Sequence, residues 1–566
     1  MTFFKHVPLS ACLVGVSLLQ GANPVPYLLQ SFTPVSVAPG SGSFRLRVTG
    51  TGFVYGAIVN WDGAPFGTTF VDSHNLTAAI PASKVAKPAT IVITVSNPTP
   101  EGGMSNPQLF TVTNSEVRIS QGVLSSPVQE FPEFLTIADF NRDGNPDIMV
   151  TDGPSDFPNL GLLLGNGDGT FQPLITIPAS PAISVFNLTN ADFNRDGIPD
   201  VAVTGGGGGY IQLGNGDGTF QSPLPVIPSA QGFALLAADV NEDGILDLLV
   251  SGAGGGTGLG VLLGNADLTF QPAVVYPAGS DVSGLVVTDL NNDGHLDVVT
   301  SDQSTCRITV LLGKGDGTFT TGQVLSPGCN PISIVAGDFN GDGNQDIAAA
   351  LYGGNTVVIY LGKGDGTFGT PTTVTVPAEP SAVAAGDVNG DGILDLVTSN
   401  LTGDVSVLIG HGDGTFTLGP TTKTAGFPPV AVGLADFNSD GRLDIAALNY
   451  TFNASVFAIL QSTLQLNRLS VNFGSQKVGT SSPAQNVTVT NTGHSELAVA
   501  TLTITGTNSS DFFLVTNCGT SLAPGASCSA QISFKPAATG TNTADLLVTD
   551  KSLNVTQTVS LTGTGI

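Results

Sequence analysis

The string Asp-x-Asn-x-Asp-Gly-x-x-Asp recurs seven times, starting at Asp139, Asp192, Asp239, Asp289, Asp338, Asp387 and Asp436, in steps of 53, 47, 50, 49, 49 and 49 residues. Three carboxylates within a few ångströms repel one another by roughly 1 to 4 kcal/mol per pair at surface dielectrics, so a loop that gathers them calls for a cation. Positions 1, 3, 5 and 9 offer side-chain oxygens, position 7 offers its carbonyl, and the glycine at position 6 permits the sharp turn. The first three ligand sets are Asp139, Asn141, Asp143, Asn145 and Asp147; Asp192, Asn194, Asp196, Ile198 and Asp200; and Asp239, Asn241, Asp243, Ile245 and Asp247. The fourth and fifth are Asp289, Asn291, Asp293, His295 and Asp297, then Asp338, Asn340, Asp342, Asn344 and Asp346. The last two are Asp387, Asn389, Asp391, Ile393 and Asp395, then Asp436, Asn438, Asp440, Arg442 and Asp444. All-oxygen ligation of this irregular kind suits Ca²⁺ better than Mg²⁺, and up to seven Ca²⁺ are expected. A single copy could be an Asx-rich turn without metal, but seven copies that lose none of the three aspartates favour the ion.

The formal net charge is −27, which argues against nucleic acid and anionic membrane surfaces as partners. Much of that acidity is local: the seven loops hold 21 aspartates. Six more (Asp168, Asp217, Asp267, Asp316, Asp365, Asp413) lie in a second repeated motif. This motif, Gly-x-Gly-Asp-Gly-Thr-Phe, begins at Gly165, Gly214, Gly313, Gly362 and Gly410, with a degraded copy at Gly264.

The elements that hold the loops are legible between the motifs. In the period 380–428, PSAVAAG is a strand of small apolar residues, the acidic loop follows, Leu396 opens a second strand and Val405 to Ile409 is a third. The glycine-rich hairpin after Gly410 then leads into a fourth strand from Phe416. Four short strands per 49 residues or so, with no amphipathic helix between them, predict a β-propeller blade. The seventh period lacks the second motif and a fourth strand. Residues 117–127 resemble the fourth-strand text at 319–327, so this N-terminal segment is expected to complete the last blade and close the ring.

The pairing of these two motifs resembles the FG-GAP/VCBS repeat family over residues 116–460. The resemblance implies a calcium-bearing seven-bladed propeller of exported bacterial proteins and integrin α-subunit heads. EF-hands and dockerins need flanking helices, and RTX β-helices repeat every nine residues, so those calcium folds fit less well. Residues 27–114, with FRLRVTGTGFVYGAIVNW from Phe44 and IVITVSNP from Ile91, are similar to the IPT/TIG immunoglobulin-like family. Residues 464–566, with VTVTNTG from Val487 and CSAQISFKP from Cys528, resemble the ASPM/Hydin-like (ASH) modules of choice-of-anchor proteins. The expected fold class is thus all-β, a seven-bladed propeller flanked by two immunoglobulin-like β-sandwiches. Trp61 is expected to pack in the first sandwich.

Residues 1–22 read as a secretory signal, with Lys5 and His6 ahead of the apolar run from Ala11 to Leu19. Leu9 to Cys12 has the look of a lipobox, but the apolar run follows the cysteine instead of preceding it. No apolar stretch is long enough for a transmembrane anchor, and the expected location is secreted or at the cell surface. In an exported chain the four remaining cysteines favour disulfides. Cys518 and Cys528 are ten apart, and Cys306 and Cys329 flank the Gly315 turn almost symmetrically, so these two pairs are expected. No LPxTG-like sorting signal follows the last strand, so surface attachment is not carried over.

Catalysis has little support. The five histidines are scattered, and Asp72-Ser73-His74 has triad residue types in sequence adjacency, which is not triad geometry. Gly205 to Gly209 precedes no helix and is no phosphate cradle. Seven equivalent sites suit a structural task. The sequence therefore reads as a non-enzymatic calcium-binding module for a protein or glycan partner, with a propeller lectin or carbohydrate-active lyase or hydrolase as the alternative. A lectin usually repeats exposed aromatics, whereas this chain has 7 Tyr and 1 Trp, and its recurrent Phe is more simply core.

Overall fold

A computed structural model gives the fold. It describes residues 24–566 except 35, 38–40, 87–88, 99–101, 113–120, 129–131, 152–158, 181–183, 228–232, 253–256, 329, 390, 425–427, 440–441, 451–454, 462–463, 492–496, 500–501 and 552–554. The signal-like residues 1–22 lie outside the described residues. Among the described residues the chain is all-β, with two short 3₁₀ turns (Ala82–Val85 and Ser509–Asp511) and no helix long and apolar enough to cross a membrane.

Seven antiparallel four-stranded sheets follow one another along the middle of the chain. In the sixth, Pro380–Gly386, Asp395–Asn400, Asp404–Gly410 and Phe416–Lys423 pair in sequence order. The second strand of every sheet is buried along nearly its whole length, which explains its mainly apolar text: a strand covered on both faces has no solvent side to mark with alternating polar residues. The innermost strands of successive sheets contact one another, and that of the seventh (Pro429–Ala435) contacts that of the first (Leu135–Ala138). The seventh sheet takes its outermost strand from Gln121–Pro127, antiparallel to Ser455–Gln461. This is the segment whose text matched a fourth strand, and its pairing covers an edge that would otherwise template aggregation.

The N-terminal module is a sandwich of a four-stranded and a five-stranded sheet. Trp61 lies buried at its centre against Phe66 and Phe110, a packing role as expected. The C-terminal module pairs two four-stranded sheets around Phe473, Phe512 and Phe534.

Cys518 and Cys528 are joined, as their spacing anticipates. Cys306, by contrast, is a free thiol, and Cys329 lies outside the described residues. The expected Cys306–Cys329 pair fails on register. The hairpin turns about Asp316, with Gly313 facing Phe319, and even beyond the bulge between Thr309 and Leu311 it is Ile308 that faces Leu325, so extending that pairing sets residue 306 opposite 327 instead of 329. Cys306 itself sits in a tight turn with φ 56°, its Sγ 3.7 Å from the Gln303 carbonyl.

Candidate metal loops

Each acidic loop joins the first strand of its blade to the second. In loop 1, Asp139 accepts the N–H of Asp143 on Oδ1 (3.0 Å) and that of Gly144 on Oδ2 (2.9 Å). Asn141 and Asp143 form successive Asx turns, accepting the N–H groups of Asp143 and Asn145 at 3.0 and 2.8 Å. Loops 2, 3, 5 and 6 repeat this pattern at Asp192, Asp239, Asp338 and Asp387. In loop 7, Asp440 lies outside the described residues, while Asp436 and Asn438 are buried. The loop turns at two left-handed residues. Gly144 has φ 88°, and position 4 is left-handed as well, at Arg142, Arg195, Glu242, Asn292 and Ser439. Gly341, Gly390 and Asn292 at position 4 are residue types that suit this conformation, whereas Arg142, Arg195 and Glu242 rarely adopt it.

The ninth residue has a second task. Asp147 is fully buried and accepts the N–H of Phe140 on Oδ2 and of Gly165 on Oδ1, both at 2.8 Å. Asp200, Asp247, Asp297, Asp346 and Asp395 do the same for the first glycine of the second motif, at Gly214, Gly264, Gly313, Gly362 and Gly410. That glycine has a steric reason: a Cβ at Gly313 would run into the carbonyl of Leu296. The two motifs are thus halves of one structure, bound through a buried carboxylate.

The second motif also joins neighbouring blades. Its third glycine donates to the second residue of the preceding blade's loop: Gly218 to Phe140, Gly317 to Val240, Gly366 to Leu290 and Gly414 to Phe339. Gly169 donates to the Phe437 carbonyl at 2.8 Å and so ties blade 1 to blade 7. The motif's phenylalanine packs across the same seam, Phe220 on Phe140, Phe171 on Phe437 and Phe416 on Phe339. The degraded copy shows what is lost. Leu268 stands where the third glycine would, keeps φ 65°, and donates to Asn265 within its own turn.

Position 7 side chains point across seams too. His295 Nδ1 meets Glu242 Oε1 of loop 3 at 2.5 Å, and Asn344 accepts from Asn292 of loop 4 at 3.0 Å. Burial lowers the His295 pKa, but the Glu242 hydrogen bond and nearby carboxylates outweigh it and raise it overall.

Among the described residues, no three His, Cys, Asp or Glu side chains already form a tight metal cluster. The donors nevertheless fit a hard cation. Burial first, and then the like charges of positions 1 and 5, push the position 9 carboxyls up, to about 6 for Asp147, 7 for Asp297 and 8 for Asp247. Loop 4 departs from the pattern: the Asp289 Oδ1 atom is buried without a hydrogen-bond partner. A buried carboxylate oxygen left so costs about 1 to 3 kcal/mol or more, which a bound cation would remove. The oxygens that could hold Ca²⁺ in each loop remain those of positions 1, 3, 5 and 9, with the position 7 carbonyl, because each engaged carboxylate oxygen keeps a second lone pair.

The family model for an FG-GAP-like repeat matches residues 139–203, 192–250, 239–300, 289–349, 338–398 and 387–447, more than half of the chain in total. An IPT/TIG domain model matches 28–112, and a model for Cep192 domain 4 matches 461–566. No curated protein matches the chain. Among solved structures, an Agrocybe aegerita lectin, described as recognising non-reducing terminal N-acetylglucosamine, is 18% identical, covering 70% of this chain and all of its own, with a TM-score of 0.38. A protein of unknown function from Desulfotomaculum acetoxidans is 12% identical over 62% of this chain and 95% of its own, also at 0.38. The ASH/PapD-like domain 7 of human CEP192 is 15% identical over 19% of this chain and 86% of its own, at 0.15.

Proposed function

The chain belongs to the FG-GAP-like repeat family, and from that premise we propose that it is an exported, calcium-stabilised propeller that binds a protein or glycan partner and carries out no catalysis. The supporting observation is the repetition of one acidic loop around the ring, with a buried aspartate locking the loop to its own blade and, at loops 1, 3, 4, 5 and 7, a glycine N–H tying it to the next. Such equivalence serves a frame. A catalytic centre needs one constellation unlike the others, with a nucleophile or acid–base pair in reach of a substrate. Bound Ca²⁺ would neutralise the loops' converging carboxylates, and the ring would then present rigid faces to a macromolecular ligand.

Protein purified in calcium and dialysed against about 1 mM Ca²⁺, where weak extracellular sites fill, is expected to retain several equivalents by metal analysis. Fewer than about two would sink the calcium reading. A glycan array, run beside a reducing-sugar release assay and a pull-down from native surface extract, tests the rest: sugar release would replace the binding module with a carbohydrate-active enzyme.

A further inference from the structure

The seven loops are not in equivalent surroundings, because the N-terminal module rests on two of them. The Val25 N–H donates to Oδ2 of Asp239, the first residue of loop 3, at 2.7 Å. Tyr27 packs against the apolar cluster shared by blades 3 and 4. The His74 ring lies on loop 4, so close to Gly294 that a Cβ there would run into Nε2. The backbone N–H of His74 donates to Asp72 at 2.9 Å, and its ring is held by Nδ1, 3.1 Å from Ser73 Oγ.

The junction is incompletely packed. A cavity of about 490 Å³ separates the two bodies, lined by Arg47, His74 and Asn75 from the module and by Asp289, Asp338 and Ile393 from loops 4, 5 and 6. Arg47 is already engaged by Asn75, with Nε and Nη2 at 2.9 and 2.7 Å from Oδ1. On the ring side Asp289 lines the space, and its buried Oδ1 atom has no hydrogen-bond partner. Apolar burial at Tyr27 contributes to such a junction, but the aspartates within each loop repel one another and so work against the loop shape on which the module rests.

We propose that cations in loops 3 and 4 fasten the N-terminal module to the ring, so that these two sites and the docking of the module depend on each other. The inference rests on the calcium reading above and adds to it a linkage between domains. With the ions bound, the loops hold the shape on which Val25 and His74 sit, and the repulsion behind the junction is removed. Because binding linkage is reciprocal, the docked module raises the affinity of loops 3 and 4 by the same factor by which their ions favour docking. Burial of the first aspartate is not the distinguishing feature, since Asp387 and Asp436 are buried as well. Contact with the module is.

The test uses the full chain in saturating Ca²⁺, with hydrogen exchange at Val25, Tyr27 and Leu28 and small-angle scattering as readouts. The double substitution Asp239→Asn, Asp289→Asn is expected to cut amide protection at those positions about tenfold or more and to enlarge the radius of gyration. Asp139→Asn with Asp192→Asn, in loops whose first aspartates are only half-buried, should leave both readouts unchanged. Because Asp239→Asn also alters the acceptor of Val25, Tyr27→Ala gives an independent arm: by weakening docking without touching a loop, it should lower the affinity of two of the bound ions about tenfold. Equal effects from the two double variants, or unchanged ion affinity in Tyr27→Ala, would overturn the linkage while calcium binding stands. Absence of any bound ion in the unsubstituted protein would instead remove the calcium reading itself.

Discussion

The propeller and the C-terminal sandwich solve the stability problem by opposite means. The sandwich buries an uninterrupted apolar cluster, including Leu466, Val489, Ile532, Phe534 and Leu546, and closes one corner with the Cys518–Cys528 bridge. The ring divides its apolar burial among smaller clusters, most of them shared by two neighbouring blades, and fixes each blade with a fully buried aspartate. A sandwich core is indifferent to solutes. A ring built on buried carboxylates is not, because burial raises the pKa of Asp147, Asp200, Asp247, Asp297, Asp346 and Asp395 to about 6 to 8, and a nearby positive charge would favour their charged forms.

The largest separation between the two is expected on removing calcium. With a Kd of about 0.1 mM per loop, about 1 mM free Ca²⁺ stabilises the ring by roughly 1.4 kcal/mol per site, or about 10 kcal/mol for seven independent sites. Calorimetry should show the ring transition falling by tens of degrees in chelator while the sandwich transition stays in place. An unmoved ring transition would reduce the loops to acidic turns.

The pH dependence sharpens the contrast. Six position 9 aspartates have folded pKa values of about 6 to 8, raised mainly by burial, against roughly 3.9 in the unfolded chain. The folded ring therefore binds protons more tightly than the unfolded chain. The stability this contributes is fully present below about pH 4 and is lost as pH rises through 6 to 8. In protein stripped on a chelating resin, the ring's midpoint in urea should fall between pH 5 and pH 8. Saturating Ca²⁺, which favours the charged carboxylates, should flatten or reverse that slope.

Substitution tests the two regions at similar cost. Asp395→Ala strands the N–H groups of Val388, Asn389 and Gly410, and should destabilise the ring by about 3 to 5 kcal/mol. Reducing Cys518–Cys528 should cost about 2 to 3 kcal/mol and be felt in the sandwich alone. The smallest effect concerns the seams. Gly414→Ala puts a side chain at φ 79°, against Leu361, in the turn that donates to Phe339. Equilibrium unfolding should show a loss of about 2 kcal/mol, and the turn at Leu268 indicates that the fold survives such a change.

How much of this was legible in the sequence varied with the range of the interaction. The loops, the strands beside them and the strand 121–127 that completes the last blade could be read because each is local or repeats known text. The role of the first glycine in the second motif could have been inferred, since it stays glycine in all six copies, even in the degraded one that loses the other two glycines. The Glu242–His295 contact could not, because positions 4 and 7 change from loop to loop and their partners lie a blade away. The Cys306–Cys329 expectation failed for a related reason: the hairpin pairs Gly313 with Phe319 and so turns about Asp316, not between Gly317 and Thr318 where the cysteine spacing centres it.

The sequence by itself determined the all-β repeat, the acidic loops and the number of blades, since a short periodic pattern encodes its own local geometry through strand alternation, glycine turns and charge. Only the tertiary structure decided which carboxylates would also serve as structural anchors, how one blade would grip the next, and that the N-terminal module would lie against loops 3 and 4. Those outcomes depend on close approach between residues far apart in the chain, as with Val25 and Asp239, and nothing in the spacing of either segment specifies the other.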